Sequence, residues 1–303
     1  MNKQDLLPSL LNFEKLNKKQ EKGLKQLYKD TVAMKAGDRD ADDWFILGYY
    51  DISREDWDEA IESLTLAAEK RPDFEAAYRF RAMAWIAEDL TERAEEDLNK
   101  ALEIDEDYAD ARYERAEIYA GQDKTDEALK DALKVLEDDP EHLRARLLVA
   151  QIYSQKEEYE KAAEAYSEVL EEMPDQGEAL AARGLALFFA GNAEDALKDI
   201  KRARMLDGSN VVADFNVGLI SAAIPGKAKE AYRHFEKAFR KDSSLLDQYV
   251  KEAKGKESSR LLDRLDAIVK DLEAQKNDNF YTEQLYDLLE SKLRRARGAM
   301  NKE

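Results

Sequence analysis

Cysteine is absent from this sequence of 303 residues, and glycine, proline and histidine are scarce. Without cysteine the chain has no disulfide framework, no thiol nucleophile and no cysteine-ligated metal site. The 12 glycines and 5 prolines are too few for an all-β protein with many turns or for a disordered chain. With 44% hydrophobic residues, the composition favours a packed fold with charged, exposed helical faces.

Catalytic signatures are missing as well. The two histidines, His142 and His234, are not paired at a metal-binding spacing, and no glycine-rich phosphate loop occurs. His142 falls at a predicted turn, where we expect it to be exposed to solvent. We therefore predict that the protein is not an enzyme and that it binds no cofactor and no metal ion.

Long apolar segments are also missing. No run of about 18 apolar residues occurs, so membrane insertion is not predicted. The first segment, MNKQDLLPSLLNFEKL, is interrupted by Pro8 and Glu14 and lacks a small-residue cleavage site, so we do not interpret it as a signal peptide. The expected location is the cytoplasm.

Negative charge dominates the middle of the chain. The net charge is −19, and residues 41–244 carry 27 basic and 49 acidic residues, whereas residues 1–40 are net positive. Because this middle part repels the phosphates of nucleic acids and anionic lipids, neither is a predicted partner. It attracts a basic protein segment. Alternatively, the acidic groups serve only solubility.

A period of 34 residues runs through the same part. One small residue recurs at steps of 34, with a last step of 35, at Ala60, Ala94, Ala128, Ala162, Ala196 and Ala231. A second small position is occupied by Gly48, Ala82, Ala116, Ala150, Gly184 and Gly218. Small residues let two helices cross at close range, where a larger side chain would overpack by roughly 1–3 kcal/mol. We expect Leu64, Ile200 and Phe235 to fill the space between neighbouring repeats.

With Trp44, Leu47 and Pro72, these positions match the signature of the tetratricopeptide repeat (TPR), and residues 41–244 resemble that superfamily. The resemblance implies an all-α fold, a right-handed α-solenoid of about six TPR helix-turn-helix units with extra N- and C-terminal helices. The predicted division is an N-terminal helical arm or cap (1–40), six repeats (41–74, 75–108, 109–142, 143–176, 177–210 and 211–244) and C-terminal capping helices (245–303).

Helix ends are predicted from proline and from short polar residues. Pro72, Pro140 and Pro174 mark the ends of second helices, because proline removes an amide donor. Aspartate, serine and threonine oxygens can cap free amides at helix starts. The predicted caps are Asp73, Asp107, Asp175 and Ser209 for first helices, and Thr91 and Thr125 for second helices.

The terminal segments predict amphipathic helices. Residues 8–36 fit one long or broken helix, and Arg260–Gln275 and Phe280–Met300 fit two more. We expect these helices to cap the open ends of the repeat array. Alternatively, the lysines of the first segment, or a basic end made of Arg294, Arg295, Arg297 and Lys302, bind an acidic surface of the same or another molecule.

The resemblance also implies a binding face. In the family, positions 2, 5, 9 and 12 of each first helix share one stripe, and this stripe lines the concave groove. Apolar side chains repeated along one exposed face mark a binding surface. Alternatively, some of them pack beneath the terminal helices. The candidate partner-binding residues are Phe45, Tyr49, Ile52, Arg79, Met83, Tyr113, Glu117, Arg144, Leu147, Gln151, Leu185, Phe188, Phe215 and Leu219.

These observations favour a non-catalytic adaptor or scaffold for protein–protein interaction. We expect it to bind a partner helix or peptide with apolar anchors and basic flanks in the concave groove. The alternative is a self-assembling structural scaffold, a homo-oligomer in which a basic terminal arm enters the acidic groove of the next copy.

Overall fold

The computed structural model describes residues 2–11, 15–206, 208, 211–247, 256–277 and 279–300. Regular structure in these ranges is helical throughout, in sixteen α-helices, a short helical stretch at residues 245–247 and one 3-10 turn at Ala36–Asp38. The helices are α1 (Lys3–Leu11), α2 (Lys18–Ala33), α3 (Ala41–Ile52), α4 (Trp57–Lys70), α5 (Glu75–Ala87), α6 (Thr91–Ile104), α7 (Ala109–Gly121), α8 (Thr125–Asp138), α9 (Leu143–Gln155), α10 (Tyr159–Glu172), α11 (Gly177–Phe189), α12 (Ala193–Leu206), α13 (Val211–Ala222), α14 (Ala228–Lys241), α15 (Lys256–Gln275) and α16 (Phe280–Met300).

Two compact units divide the chain, Met1–Leu148 and Val149–Glu303, which we call unit 1 and unit 2. In unit 1, the pairs α3–α4, α5–α6 and α7–α8 pack as helix-turn-helix repeats. In unit 2, α11–α12 and α13–α14 do the same, and α10 packs against α11. The predicted all-α repeat architecture is confirmed. Each of the six proposed repeats opens with a helix, although the boundaries of the division remain a proposal.

The helices of one repeat cross at the small residues. A Cβ added to Gly48 would lie 2.5 Å from Leu64 Cγ, and one added to Gly218 would lie 2.9 Å from Phe235 Cγ. A Cβ at Gly184 would likewise lie 2.8 Å from Ile200 Cγ1. Leu64, Ile200 and Phe235 therefore lie over the glycine of their own repeat, whereas the predicted location is the space between neighbouring repeats.

Prolines end the second helices as predicted, because α4, α8 and α10 stop two residues before Pro72, Pro140 and Pro174. Glu55, Asp89, Asp123 and Glu157, each at the same repeat position between two helices, have positive φ angles of 58–67°. Gly191 holds the equivalent position in the fifth repeat.

The capping predictions are wrong. Five N-cap positions make no side-chain hydrogen bond to their helix. They are Phe74 (α5), Leu90 (α6), Tyr108 (α7), Lys124 (α8) and Gln176 (α11). The predicted caps Asp73, Asp107 and Asp175 precede these positions, while Thr91 and Thr125 are the first residues inside their helices. Ser209 lies outside the described residues.

An arginine–aspartate pair recurs in three repeats. In each, both aspartate oxygens accept hydrogen bonds from one guanidinium, whose Nη1 also donates to a polar side chain of the preceding second helix. The three sets are Arg81, Asp97 and Thr65; Arg115, Asp131 and Asn99; and Arg183, Asp199 and Ser167. Such two-point pairs fix the geometry of the two helices as well as stabilising their contact.

The N-terminal segment forms two helices, α1 and α2, which pack against α3. Leu6, Leu10 and Leu24 are buried in the same apolar cluster as Phe45. Lys3 Nζ lies 2.8 Å from carboxylate oxygens of both Asp40 and Asp43. The predicted 8–36 helix is therefore the broken form, with a first helix that begins at Lys3.

Candidate functional site

In unit 1, the stripe residues of α3 are buried within the chain itself. Phe45 packs against the rings of Phe74 and Phe80, with ring centroids 5.1 and 5.2 Å away. Tyr49 and Ile52 belong to the same apolar cluster. These three predicted binding residues therefore hold the first two repeats together in the described structure.

A polar network occupies the stripe on α5 and α7. Arg79 is buried, and its Nε and Nη2 donate to Glu114 Oε1 over 3.0 and 2.7 Å. A second carboxylate, Asp110, lies 2.8 Å from Arg79 Nη1. Burial raises the pKa of the Glu114 carboxyl, and the neighbouring Arg79 charge offsets part of that rise. Arg79 thus neutralises a buried carboxylate, which makes it a structural residue of unit 1.

The next part of the stripe in unit 1 is only partly open to solvent, because Tyr113 is itself 6% exposed. Tyr113 Oη donates to Glu117 Oε1 over 2.6 Å, and the guanidinium of Arg144 lies 4.6 Å from the Tyr113 ring centroid. His142 packs against the same ring and accepts a hydrogen bond from the Ala145 amide, so it is half-buried and not the exposed residue we expected. Met83 and Leu147 are half-buried at the margins of this part of unit 1, whereas Glu117 and Arg144 are exposed.

In unit 2, three predicted stripe residues line one cavity. Leu185, Phe215 and Leu219 surround a volume of about 290 Å³ that opens to the surface. Its other walls are mainly apolar and come from α9, α10, α11, α13 and α15. The apolar members are Tyr159, Tyr166, Ala182, Ala186, Phe189 and Leu261, and the polar members are Ser154, Asn216 and Arg260. We call this space the α11–α13 cavity.

Helix α15 closes one side of the α11–α13 cavity. Arg260 Nη1 donates to Tyr159 Oη over 2.8 Å, and its guanidinium also forms an ion pair with Glu157. One turn later, Arg264 Nη2 donates to the Phe188 carbonyl over 3.2 Å, and its guanidinium lies 5.3 Å from the Phe188 ring centroid. A described helix of unit 2 therefore covers part of the predicted binding stripe.

Phe188 lies away from the α11–α13 cavity, in the apolar cluster that joins α11 to the C-terminal helices. It is 1% exposed, as are Phe215 and Leu219. Gln151 is exposed and Leu185 half-buried. Of the stripe in unit 2, Leu185 is thus the cavity residue that a partner can reach with the least disturbance of the core.

The described residues hold no group of three or more His, Asp or Glu side chains positioned to bind a metal ion.

His234 Nδ1 lies 3.1 Å from Asp214 Oδ1, and Asp214 also pairs with Arg204 and Lys237. Burial lowers the pKa of His234, and Asp214 opposes that effect.

Among the described helices, none combines the length and apolar character needed to span a bilayer.

Comparison with known proteins agrees with the repeat pattern. The tetratricopeptide repeat family model matches residues 91–140, 113–177 and 150–211. The chain is a tetratricopeptide repeat protein. No curated protein matches the sequence.

Solved structures with the same TPR fold cover most of the chain. A TPR protein from Parabacteroides merdae is 20% identical, with a TM-score of 0.54 over 86% of this chain and 98% of that one. PilF of Pseudomonas aeruginosa is 18% identical, with a TM-score of 0.56 over 73% of this chain and 94% of its own. YrrB, described as a TPR protein with an unusual peptide-binding site, is 18% identical, with a TM-score of 0.54 over 57% and 90%. At these identities the likeness establishes the fold alone.

Sequence reasoning missed the cavity residues outside the first helices of this TPR protein. Tyr159 opens a second helix, and Arg260 and Leu261 belong to α15. The apolar face of α15 was visible in the sequence at Leu261, Leu265 and Leu272, and all three are buried. The repeat pattern does not predict the surface against which this apolar face of α15 packs.

Proposed function

We propose that this TPR protein is a non-catalytic adaptor that binds a helical segment of a partner protein at the first-helix stripe of unit 2. The observation that carries the proposal is the α11–α13 cavity, which gathers Leu185, Phe215 and Leu219 around one apolar space. TPR domains in general mediate protein–protein interactions, and one structural neighbour is described as having a peptide-binding site.

The size of the cavity supports a peptide anchor over a small molecule. Pockets for small molecules typically span about 300–1,000 Å³ and bury most of the ligand. The α11–α13 cavity measures about 290 Å³, at the lower limit of that range, and its open side leaves much of a bound ligand uncovered. It therefore suits one or two side chains of a larger ligand, as when an amphipathic helix places its apolar anchors in a groove.

The test is a selection of helical peptides from a displayed library against the whole chain. We expect the selected peptides to lose at least about tenfold in affinity for Leu185→Asp, because a carboxylate in an apolar pocket costs more than the roughly 1.4 kcal/mol that tenfold represents. Leu185 is the right position, since substitution of the fully buried Phe188 or Phe215 would remove core packing.

The matched control is Met205→Asp, an equivalent change at a side chain of unit 2 that is 82% exposed and outside the cavity. It should bind the peptides as wild type does, and thermal unfolding should show that both variants are folded. Equal binding to wild type and Leu185→Asp would contradict the proposal.

The self-assembling scaffold gains no support from the described basic end. Arg295 Nε lies 3.1 Å from Asp247 Oδ2, and Arg294 pairs with Glu290. Both charges are thus engaged within unit 2. The side chain of Arg297 and the whole of Lys302 lie outside the described residues.

A further inference from the structure

Helix α15 meets the repeats of unit 2 through polar contacts at its start, in addition to its buried apolar face. Arg260 meets Glu157 and Tyr159, and Arg264 meets the Phe188 carbonyl and ring. These contacts leave the guanidinium groups partly exposed, with 35% of the Arg260 side chain accessible. The Arg260–Glu157 ion pair is partly exposed, and such a pair contributes little stability, in the range of surface pairs.

The packing of α15 against the repeats is also incomplete. The α11–α13 cavity lies beside Arg260 and Leu261, and a second open cavity of about 500 Å³ lies along the same helix beside Arg264, Ile268 and Leu272. Protein interiors seldom contain spaces much larger than a water molecule, and atoms that face such spaces lose dispersion contacts. At the α11–α13 cavity, whose walls are mainly apolar, the repeats of unit 2 therefore offer apolar surface that α15 does not cover.

The walls of the α11–α13 cavity indicate which side chain would fill it better. Tyr159, Tyr166, Phe189 and Phe215 all line it, and the rings of Tyr159 and Phe189 stack with centroids 5.1 Å apart. Leu261 is the apolar side chain that α15 presents there. Aromatic rings pair favourably with one another, and a ring is larger than the leucine side chain.

We propose that α15 is a displaceable occupant of this face. The partner that replaces it is an amphipathic helix with an arginine at the position of Arg260 and an aromatic side chain at the position of Leu261. The inference rests on the proposed function and specifies its ligand. Glu157 receives the arginine, and the aromatic cavity receives the ring.

The experiment uses two fluorescent peptides that copy residues 256–275, one with the native sequence and one with Leu261→Phe. They are titrated into the full-length wild type, into Arg260→Glu and into Lys270→Glu. Arg260→Glu places a second carboxylate beside that of Glu157, and the repulsion between the two weakens the attachment of α15 to the repeats. Lys270→Glu is the matched control, because it makes the same charge change at an exposed position of α15.

We expect both peptides to bind Arg260→Glu at least about tenfold more tightly than wild type, since the resident helix no longer competes at high effective concentration. Lys270→Glu should bind them as wild type does. The Leu261→Phe peptide should bind about two- to tenfold more tightly than the native peptide, as expected for one added aromatic contact. Saturation of wild type with that peptide should also lower the hydrogen-exchange protection of residues 260–275.

Three outcomes would overturn the inference. The first is equal affinity of the peptides for wild type and Arg260→Glu, with the hydrogen-exchange protection of residues 260–275 retained. This outcome leaves the proposed function intact if Leu185→Asp still weakens the binding of the library-selected peptides. The second is that neither peptide binds a variant to which the library-selected peptides do bind. The third is that Arg260→Glu forms a dimer in which the amides of α15 remain fully protected from hydrogen exchange. In that case a second copy of the chain would be the occupant of this face. Loss of all peptide binding at the cavity, library peptides included, would instead contradict the proposed function.

Discussion

At the scale of single residues, Asp51 shows what a departure from the repeat pattern costs. It stands at a position where the TPR signature has tyrosine, and it is 5% exposed beside α2. Burial raises the pKa of its carboxyl to about 6, and the nearby charges of Asp56 and Glu59 add to the effect. The folded chain therefore holds this proton more tightly than the unfolded chain, in which an aspartate titrates near 4.

The sign of the pH effect follows from that difference. Between about pH 4 and 6 the native state binds more protons at Asp51 than the unfolded state, so the contribution of this group to the free energy of unfolding falls as pH rises. We expect Asp51→Asn to be more stable than wild type at pH 7.5, by on the order of 1–3 kcal/mol, and the gain to shrink toward pH 4.

Urea denaturation of both chains at a series of pH values measures this. As a second variant, Glu59→Gln should reduce the gain, because one of the charges that raises the pKa of Asp51 is removed. A gain for Asp51→Asn that is the same at pH 4 and pH 7.5 would show that the carboxyl is not held in its protonated form by the fold.

At the scale of helix pairs, the glycines set how closely two helices approach. Gly218 faces the ring of Phe235, and an added Cβ would lie 2.9–3.1 Å from three of its ring atoms. We expect Gly218→Ala to lower the free energy of unfolding by up to about 2 kcal/mol, because overpacking costs about 1–3 kcal/mol and the gain in helix propensity offsets roughly 1 kcal/mol of it.

Thermal and urea denaturation of Gly218→Ala test this, and Gly37→Ala is a control, because an added Cβ there meets no atom within 4 Å. The double variant Gly218→Ala/Phe235→Leu should recover stability relative to the sum of the two single changes, since the smaller side chain makes room for the methyl group. Strict additivity of the two changes would refute direct overpacking.

Much of the fold at this scale could be predicted because spacing alone encodes it. The first helices begin at Ala41, Glu75 and Ala109, which are the starts of the first three predicted repeats. The caps could not be predicted in the same way. In the turn between repeats Asp105 Oδ1 accepts the Asp107 amide, and 34 residues later Asp139 Oδ1 accepts the Glu141 amide. Aspartate oxygens that bind backbone amides within the turn compete with capping of the helix that follows.

The candidate site was predicted less well, because burial depends on contacts between distant parts of the sequence. Leu185, Phe215 and Leu219 do meet at one cavity, as their shared stripe suggested. Phe45 and Phe188 belong to the same stripe, yet their neighbours Phe80 and Arg264 bury them within the chain. The period specifies which way a side chain points within its repeat, and contacts with the neighbouring repeat or with a terminal helix decide whether it remains exposed.

At the scale of the whole molecule, stability should divide along the repeats. In a repeat protein each repeat contacts only its neighbours. The free energy of unfolding therefore approximates a sum of contributions from the single repeats and from the interfaces between adjacent repeats. All three tryptophans, Trp44, Trp57 and Trp85, lie in unit 1. Tryptophan fluorescence therefore reports on unit 1, whereas helical circular dichroism reports on the whole chain.

This separation makes the contribution of α15 and α16 measurable. Leu265, Leu285 and Leu289 are at most 1% exposed, and they pack in one cluster with Phe235 and the other core residues of repeats five and six. A chain that ends at Asp247 loses these and at least four other buried apolar side chains. At about 1.5–3 kcal/mol for each, the loss is on the order of 10 kcal/mol for unit 2.

We therefore expect the shortened chain to show a two-step melt. Part of the circular dichroism signal should disappear at lower temperature than in the full chain, while the fluorescence transition of unit 1 should remain within a few degrees of its original midpoint, because its apolar cluster is untouched. Equal shifts of both transitions would contradict the local-sum description. Such a result would mean that removing the C-terminal helices is felt throughout the repeats, and that displacement of α15 by a ligand has consequences beyond unit 2.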